Sequence, residues 1–427
     1  MIMAMIRPET EMKDSGVQWI GDIPSSWTIF PANGVFSEVK EKNMDLKLTN
    51  AFSFKYGEIV DKKQVGDVDN NLKETLSSYT IVRKNTIMIN GLNLNYDFVS
   101  QRVAIVNESG VITSAYLAIQ PDENKINPRF VLYLLKSYDY QQVFHGLGSG
   151  IRKTLKYQDF KKIMIVAPTL SKQQAIADYL DETCSKIDEI IAEAKASIDE
   201  YKELKQAVIF EAVTKGLDKN VEMKQCSVNW LDEIPSTWES IRLKYLLTEI
   251  NNRSETGTEQ PLSVSQVMGV VPSYMIAVAN PTASYVGQKI VEPNDIVFNK
   301  LKAHLGVFFM SKYHGLVSPD YAVYRTNDKV IPKYLEYLFH TSACISEFKK
   351  YISGVAEGLM RLYTSDLFNI RICLPKVDEQ IQIVEYVENK VELFDSLITE
   401  KESLINDLEA YKKSLIYEVV TGKRRVV

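Results

Sequence analysis

Residues 171–216 read SKQQAIADYLDETCSKIDEIIAEAKASIDEYKELKQAVIFEAVTKG. The apolar residues of this stretch recur at gaps of three and four, which is the spacing of one face of a coiled-coil helix. Ser171 and Gln174 form a predicted capping box, and Gly216 follows the last predicted turn. A helix of about 44 residues would be about 65 Å long, so we expect it to lie between domains and not inside one. The predicted seam consists of Ile176, Leu180, Cys184, Ile187, Ile191, Ala194, Ile198 and Tyr201.

The same pattern returns near the end of the chain. Pro168 and Gln173 of the first stretch align with Pro375 and Gln380 of the second. One such helix would fit an ordinary helix bundle equally well, but a repeat of this length indicates a duplicated architecture. The second predicted seam consists of Ile383, Val387, Val391, Phe394, Ile398, Ile405, Leu408 and Leu415.

Length and charge limit the classes of protein to consider. The chain has 427 residues, 45% of them hydrophobic, and a formal net charge of −5, which predicts two to four folded domains. The acidic surplus falls on the two helical stretches, whereas the regions between them are neutral or slightly basic. A nucleic-acid-binding face is therefore permitted on the intervening regions. The acidic helix faces are either solvated or meet a basic partner protein.

The sequence also bears on cellular location. No secretory leader is visible at the N-terminus, and no apolar run approaches the roughly 18 residues that a membrane span needs. The four cysteines, Cys184, Cys226, Cys344 and Cys373, show no metal-binding spacing. We therefore expect reduced thiols in a cytoplasmic protein without a metal site.

Each half of the chain opens on a segment that holds two of its four tryptophans. Residues 17–27 and 228–238 share the pattern Trp-x-x-x-Ile-Pro-x-x-Trp. Tryptophan and proline at fixed spacing predict an apolar cluster with a turn, so packing is the expected role of both segments.

The regions between these segments and the helices predict a repeated α/β domain. In the first half, β-rich runs at 79–82, 86–89, 103–106, 111–113 and 116–119 precede a helical segment at 128–136. The second half repeats this order with weaker similarity. We therefore expect a domain at 1–168, a helix at 169–216, a second domain at 217–375, and a second helix with a tail at 376–427.

Polar and basic side chains follow a predicted strand end in each half. Such side chains contact base edges and phosphates in protein–DNA complexes, although any one of them alone is more often an ordinary surface residue. The cluster at 299–304 is the best of them, because three polar groups follow one strand. The candidates are Asn90, Asn93, Asn95, Arg102, Arg152 and Lys153 in the first half, and Asn299, Lys300, Lys302, His304 and Arg361 in the second.

Catalytic motifs are missing from the sequence. The glycine-rich segment 146–154 is not a nucleotide-binding loop, because Ile151 stands where the second glycine is required. It is either a loop that contacts nucleic-acid phosphate or a plain connection. No nucleophile constellation or dinucleotide fingerprint appears, so we expect a non-enzyme with no catalytic residue, no metal and no cofactor of its own. A scattered active site is the remaining alternative.

The order of domain, long helix, domain, long helix resembles the specificity subunit of type I restriction-modification systems, and the resemblance covers nearly the whole chain. One departure is Ile381, which stands where the first helix has Gln174. The residues that carry the resemblance are Trp19, Ile23, Pro24, Trp27, Pro168, Gln173 and Ile176 in the first half, and Trp230, Ile234, Pro235, Trp238, Pro375, Gln380 and Ile383 in the second.

The resemblance implies a fold and a function. It implies two target-recognition domains of α/β class, separated by two long helices that form an antiparallel coiled coil with a pseudo-twofold axis. Each domain would read one half of a bipartite, asymmetric, gapped site in double-stranded DNA, and the helices would set the gap. Two methylation subunits, which use S-adenosylmethionine, would dock on this scaffold, and restriction subunits would join them. The competing hypothesis is a coiled-coil scaffold that binds no DNA.

Overall fold

The computed structural model describes residues 5–62, 70–99, 101–228, 230–276, 284–353 and 361–426. The chain divides into two compact units, Met1–Lys195 with Ser403–Val427, and Ala196–Glu402. Each unit contains one α/β domain together with a segment of each long helix.

In its described residues, the first half contains short strands, four short α-helices and one long α-helix. The strands are β1 (Met5–Ile6), β2 (Met12–Asp14), β3 (Asp22–Pro24), β4 (Thr28–Pro31), β5 (Phe36–Glu38), β6 (Ala51–Lys55), β7 (Glu58–Asp61), β8 (Thr80–Val82), β9 (Ile87–Ile89), β10 (Val103–Ile105), β11 (Gly110–Ile112), β12 (Leu117–Pro121) and β13 (Met164–Ala167). The helices are α1 (Asn70–Ser77), α2 (Pro128–Tyr140), α3 (Val143–Leu147), α4 (Tyr157–Phe160) and α5 (Leu170–Lys215).

The second half follows the same plan. The strands are β14 (Met223–Gln225), β15 (Glu233–Pro235), β16 (Glu239–Arg242), β17 (Leu247–Ile250), β18 (Leu262–Ser265), β19 (Gly269–Pro272), β20 (Lys289–Val291), β21 (Ile296–Asn299), β22 (Phe308–Met310), β23 (Gly315–Val317), β24 (Tyr321–Thr326), β25 (Arg371–Leu374) and β26 (Arg424–Arg425). The helices are α6 (Pro332–Phe339), α7 (Ser342–Lys350), α8 (Thr364–Asn369) and α9 (Val377–Val420).

A four-stranded antiparallel sheet forms the centre of each domain. Its strand order is β10-β9-β12-β5 in the first unit and β22-β21-β24-β17 in the second, which is the same arrangement. The inner strands β9 and β21 are buried along the triplets Ile87-Met88-Ile89 and Ile296-Val297-Phe298. Continuous apolar triplets suit inner strands with both faces covered. The β-rich runs predicted in the first half correspond to β8–β12.

The two long helices lie where the periodicity predicts them. A glycine in the left-handed conformation follows each helix: Gly216 directly after α5, with a φ of +75°, and Gly422 two residues after α9, with a φ of +76°. The predicted capping box of Ser171 and Gln174 is wrong, because the helix already begins at Leu170. The Gln174 side chain instead accepts a hydrogen bond from Asn127 Nδ2 at 2.7 Å, so it connects α5 to the start of α2.

The long helices pack together in antiparallel directions. In the first unit Lys412 Nζ of α9 lies 2.6 Å from Asp188 of α5, and in the second unit Lys205 Nζ of α5 lies 2.6 Å from Asp395 of α9. Asp188 and Lys205 align with Asp395 and Lys412 in the sequence repeat. The same ion pair therefore forms once in each unit, with the roles of the two helices exchanged.

The predicted seam residues differ in burial. Most of those on α5 are buried, and Ile383 and Val387 of α9 are fully buried in one apolar cluster with Trp238 and Tyr334 of the second domain. Phe394 and Ile398 are only partly buried, and the Phe394 ring lies 6.4 Å from that of Tyr201. The first turns of α9 thus pack on a domain as well as along α5. The buried predicted residues are Ile176, Leu180, Cys184, Ile187, Ile191, Ala194, Ile198, Ile383, Val387, Ile405 and Leu415.

One buried glutamine joins the start of each long helix to its domain. Gln173 Oε1 accepts from the Asn127 backbone N–H at 2.7 Å, and Gln380 Oε1 accepts from the Ile331 N–H at 2.8 Å. Asn127 and Ile331 are the N-cap residues of α2 and α6, whose first N–H groups lack partners within the helix. The glutamine of the repeated motif therefore has a structural role in both halves.

The tryptophan segments pack on the ends of the long helices. A Cβ atom placed on Gly422 would lie 2.5 Å from Pro24 Cγ and 3.0 Å from Trp27 Cζ2. In the second unit the corresponding Cβ on Gly216 would lie 3.4 Å from Trp238 Cζ2. The repeated Ile-Pro-x-x-Trp segment therefore packs against the glycine that follows a long helix in each unit.

None of the helices in the described ranges has the length and apolarity that crossing a membrane requires.

Candidate nucleic-acid interface

In the first unit, a loop follows the buried strand β9 and carries the predicted asparagines. Asn90 is half-buried, its N–H donates to Arg102 O at 2.8 Å, and its Oδ1 accepts from Leu92 N. Asn93 is exposed and has a φ of +52°, which asparagine tolerates better than most residues. The strand end thus holds one asparagine in place and presents the other to solvent.

Arg102 does not reach the surface. Its side chain is fully buried, and its guanidinium donates to the backbone oxygens of Asn90, Leu92 and Asp97 at 2.6–2.9 Å. The sequence predicts a DNA-facing side chain at this position, whereas in this conformation Arg102 is buried and supports the loop from behind.

A buried carboxyl lies behind the same loop. Asp139 of α2 accepts a hydrogen bond from the Arg102 backbone N–H at 2.8 Å. Burial raises the pKa of Asp139 to about 6, and this hydrogen bond opposes the rise. The loop is therefore supported by an arginine and by a carboxyl whose charge depends on pH near neutrality.

The glycine-rich segment packs against this loop. Leu155 N donates to Gly91 O at 2.9 Å, and Leu94 N donates to Lys153 O at 3.0 Å. The Asn95 side chain donates to Ile151 O at 3.1 Å. These bonds leave the side chains of Arg152 and Lys153 exposed. Two cations thus lie beside Asn93 on one surface, which we call the first interface (residues 90–99, 101–102 and 146–155).

In the second unit, a 3-10 turn at Lys300–Leu305 takes the place of the loop. Asn299 caps this turn, because its Oδ1 accepts from the N–H groups of Leu301 and Lys302. Lys302 and His304 are exposed. Lys300 is half-buried, and its Nζ lies 3.7 Å from Glu249 Oε1, which balances its charge.

The neighbourhood of Lys300 also contains a buried lysine. Lys289 Nζ donates to Tyr321 O at 2.8 Å and lies 3.9 Å from the same Glu249 oxygen. Burial lowers the pKa of Lys289, and the nearby Lys300 lowers it further. Among the predicted residues of this turn, Lys302 and His304 are therefore the better placed to meet a ligand.

Arg361 is half-buried and pairs with Ser353 through backbone hydrogen bonds of 2.9 and 3.0 Å. The next residue, Leu362, donates its N–H to Lys300 O at 3.1 Å. Residues 354–360, which include two glycines and directly precede Arg361, lie outside the described residues. We call residues 299–306 with 361–362 the second interface.

The two interfaces repeat one hydrogen-bond arrangement. The asparagine at the end of the inner strand donates its N–H to the residue that precedes the neighbouring strand, from Asn90 to Arg102 O and from Asn299 to Val307 O. The closing segment then bonds to the next residue of the loop, through Leu155 to Gly91 O and Leu362 to Lys300 O. The backbone arrangement is thus shared, whereas the exposed side chains differ between the units.

The structure adds exposed aromatic residues to the first interface that the sequence prediction missed. Tyr96 and Phe98 are 73% and 55% exposed, and the Phe98 ring stacks on His145 with centroids 5.1 Å apart. A signal was available in the sequence, because large aromatic residues are unusual in a polar turn. Exposed aromatic rings beside cations are a common feature of nucleic-acid-binding surfaces.

No cluster of three or more histidine, cysteine or acidic residues that could hold a metal ion occurs among the described residues. The exposed groups described above at the two interfaces are an amide, an imidazole, cations and two aromatic rings. Such groups can bind phosphates and base edges without any bond-making step.

Comparison with known protein families identifies the class of protein. The family described as type I restriction modification DNA specificity domain matches residues 24–200 and 235–409. The chain therefore belongs to the family of type I restriction-modification DNA specificity subunits.

Relatives match the chain over nearly its whole length. The type I restriction enzyme MjaVIII specificity subunit of Methanocaldococcus jannaschii is 21% identical over 95% of this chain and 94% of its own. The EcoKI specificity subunit of Escherichia coli K12 is 21% identical over 94% of this chain and 90% of its own. A chain solved in work on complex assembly and conformational transition of the type I R-M system superposes with a TM-score of 0.71 at 15% identity, covering 94% of this chain and 99% of its own. This last likeness supports the fold.

Proposed function

We propose that the chain is the non-catalytic DNA-reading subunit of a type I restriction-modification complex. Each domain reads one half of a bipartite, gapped site in double-stranded DNA. The observation that carries this proposal is the repeated interface, in which one backbone arrangement presents different side chains in the two units. Because the exposed residues differ, the two half-sites differ in sequence and the whole site is asymmetric.

The predicted base contacts follow from exposure. Asn93, Lys302 and His304 are exposed at the strand ends, and their amide, ammonium and imidazole groups can bond to base edges in the major groove. Arg152 and Lys153 of the glycine segment are placed for phosphate contacts, which position the protein on the duplex. Asn90, Arg102 and Asn299 hold the loops that carry these contacts.

The long helices serve as the spacer and as the scaffold in this proposal. Two identical methylation subunits can bind equivalently to a chain whose two halves repeat one another. Restriction subunits join this assembly. Methyl transfer and cleavage are carried out by those partners, and S-adenosylmethionine is bound there. The function places the chain in the cytoplasm.

Methylation-site mapping tests the proposal. The chain is expressed with its methylation subunit in cells that lack other adenine methylation, and modified adenines are located across the genome. We expect one motif with two short specified halves, different in sequence, separated by a fixed number of unspecified bases. Methylation without a gapped two-part motif would contradict the proposal.

DNA binding by the purified assembly separates this function from that of a scaffold that binds no DNA. A DNA-reading complex binds a duplex carrying its motif more tightly than an unrelated duplex, and its affinity falls steeply as salt rises. A scaffold shows neither behaviour. The isolated chain is the control for a hidden methyltransferase site, and we expect it to bind no S-adenosylmethionine.

A further inference from the structure

Two hairpins outside the predicted site present large apolar side chains to solvent at their tips. In the first unit, β6 and β7 are joined by Tyr56 and Gly57, and Tyr56 is 90% exposed. In the second unit, β18 and β19 are joined by residues 266–268, in which Val267 is 93% and Met268 is 48% exposed. The hairpins occupy corresponding places, because β7 packs on β10 and β19 packs on β22.

Turn chemistry does not explain these side chains. Tyr56 has a φ of +50° and Gly57 a φ of +77°, a two-residue turn in which asparagine or aspartate is the favoured first residue. A bulky side chain at positive φ is unfavourable, and a β-branched valine is uncommon in a turn. Residues that oppose the local preference and also lie in water are candidates for an intermolecular contact.

Both tips lie against the interfaces already described. A Cβ atom on Gly57 would lie 2.7 Å from Gln101 Oε1, and Gln101 is part of the first interface. In the second unit Gln266 Nε2 donates to Leu305 O at 3.5 Å, and Leu305 is part of the second interface. Each hairpin tip therefore extends the surface on which Asn93, or Lys302 and His304, are exposed.

We propose that the two hairpin tips enter the DNA groove and that Tyr56 and Val267 make specificity-determining apolar contacts with base edges, one in each half-site. This inference rests on the proposed function. Apolar side chains gain nothing from charged phosphates, whereas the thymine methyl group and the faces of bases offer apolar surface. The two tips differ in chemistry, so they contribute to the difference between the half-sites.

The test compares three variants of the full chain, each assembled with the methylation subunit. Tyr56→Asn and Val267→Ser remove the most exposed apolar side chain of each tip, and asparagine suits the positive φ at position 56, so folding is preserved. Tyr245→Ser is the matched control, because Tyr245 is 59% exposed but precedes β17. Strands β17 and β21 both run antiparallel to β24. Tyr245 precedes the start of β17 whereas Asn299 is at the end of β21, so Tyr245 lies at the end of the sheet away from Asn299.

We expect Tyr56→Asn to relax the methylated motif at one or two positions of one half-site, and Val267→Ser to do so in the other. Affinity for the motif should fall about tenfold, while affinity for unrelated DNA and the dependence on salt stay unchanged, because no phosphate contact is lost. Tyr245→Ser should behave as the unsubstituted complex.

Two outcomes would overturn this inference. In one, the hairpin variants keep the motif and the affinity of the Tyr245→Ser control. In the other, affinity falls equally for all sequences with a weaker salt dependence, which is the behaviour of a lost phosphate contact. Failure of the proposed function looks different, because the unsubstituted complex would then give no two-part motif.

Discussion

At the scale of single residues, the two helix-ending glycines combine a turn with close packing. Gly422 has a φ of +76° and faces Pro24 and Trp27, so it ends α9 and also closes the N-terminal apolar cluster of the first unit. A side chain at this position would be unfavourable for two reasons, because a positive φ favours glycine and because the added atoms would clash with Pro24 and Trp27. The repeated Pro and Trp of the sequence thus pack against the end of a long helix, at a position where only glycine leaves enough space.

We predict that Gly422→Ala destabilises the first unit by about 1–3 kcal/mol, since its Cβ would lie 2.5 Å from Pro24 Cγ. Thermal unfolding of the full chain measures the effect. Gly146→Ala is the matched control, because that glycine is in α3, has no positive φ and has no neighbour within 4 Å of an added Cβ. Equal melting temperatures for the two variants would contradict the packing described for Gly422.

The pKa of Asp139 predicts a pH dependence of stability. Burial raises this pKa from 3.8 to about 6, so the native state binds the proton more tightly than the unfolded chain does. The stabilising contribution of the protonated carboxyl is complete below pH 3.8 and is lost as the pH rises through about 6. The folded chain is therefore less stable at pH 7, where the Asp139 carboxyl is ionised, than it would be with a neutral group at this position.

We predict that Asp139→Asn gains stability relative to the unsubstituted chain as the pH rises from 4 to 7, by up to about 3 kcal/mol. Asparagine keeps an oxygen that can accept the Arg102 N–H, so the difference isolates the charge. The measurement is chemical unfolding of both proteins at each pH. A stability difference that is independent of pH would show that the carboxyl titrates as an exposed one.

At the scale of elements, the ion pair between α5 and α9 indicates the pairing register of the two helices. Asp188 and Lys412 are partly exposed, so their pairing stabilises the structure modestly. We predict that Asp188→Lys lowers the melting temperature and that adding Lys412→Asp restores it, with a coupling of about 0.2–1 kcal/mol. A double variant no more stable than the sum of its parts predicts would contradict this pairing.

The seam itself makes a stronger prediction. Ile191 is 8% exposed and its neighbour Ile190 is 45% exposed, so the two residues form a matched pair on one helix. We expect Ile191→Lys to cost about 2–4 kcal/mol and to weaken recovery of the methylation subunit in co-purification, because a charge is buried without a partner. Ile398→Lys should act in the same direction. Ile190→Lys should change neither quantity, and equal effects of the two substitutions would contradict the assigned seam.

The elements were more predictable from the sequence than the directions of their side chains. Periodicity locates both long helices and the β-rich runs, because the spacing of apolar residues shows directly which face of an element is buried. The direction of Arg102 is not encoded locally. It depends on backbone oxygens of Asn90, Leu92 and Asp97, which only the folded loop brings together. The hairpin tips were not predicted for a similar reason, because only the folded domain brings them close to the interfaces.

At the scale of the whole molecule, the duplication gives each unit the same set of structural parts. The strand order, the buried glutamine, the tryptophan segment and the interface hydrogen bonds each occur once per unit. In the proposed function, the repeated parts support and connect the domains, and the parts that differ recognise DNA. The length of the helices then determines the gap and leaves the half-site letters unaffected.

A helix insertion tests this division of roles most directly. Four residues, about one helical turn, are added after Ile198 in α5 and after Ile405 in α9, which correspond in the repeat, and the methylated motif of the complex is mapped. The account predicts a gap longer by about two base pairs, from about 6 Å of added helix and 3.4 Å per base pair, with both half-site sequences unchanged. A changed half-site sequence, or an unchanged gap in an active complex, would contradict it.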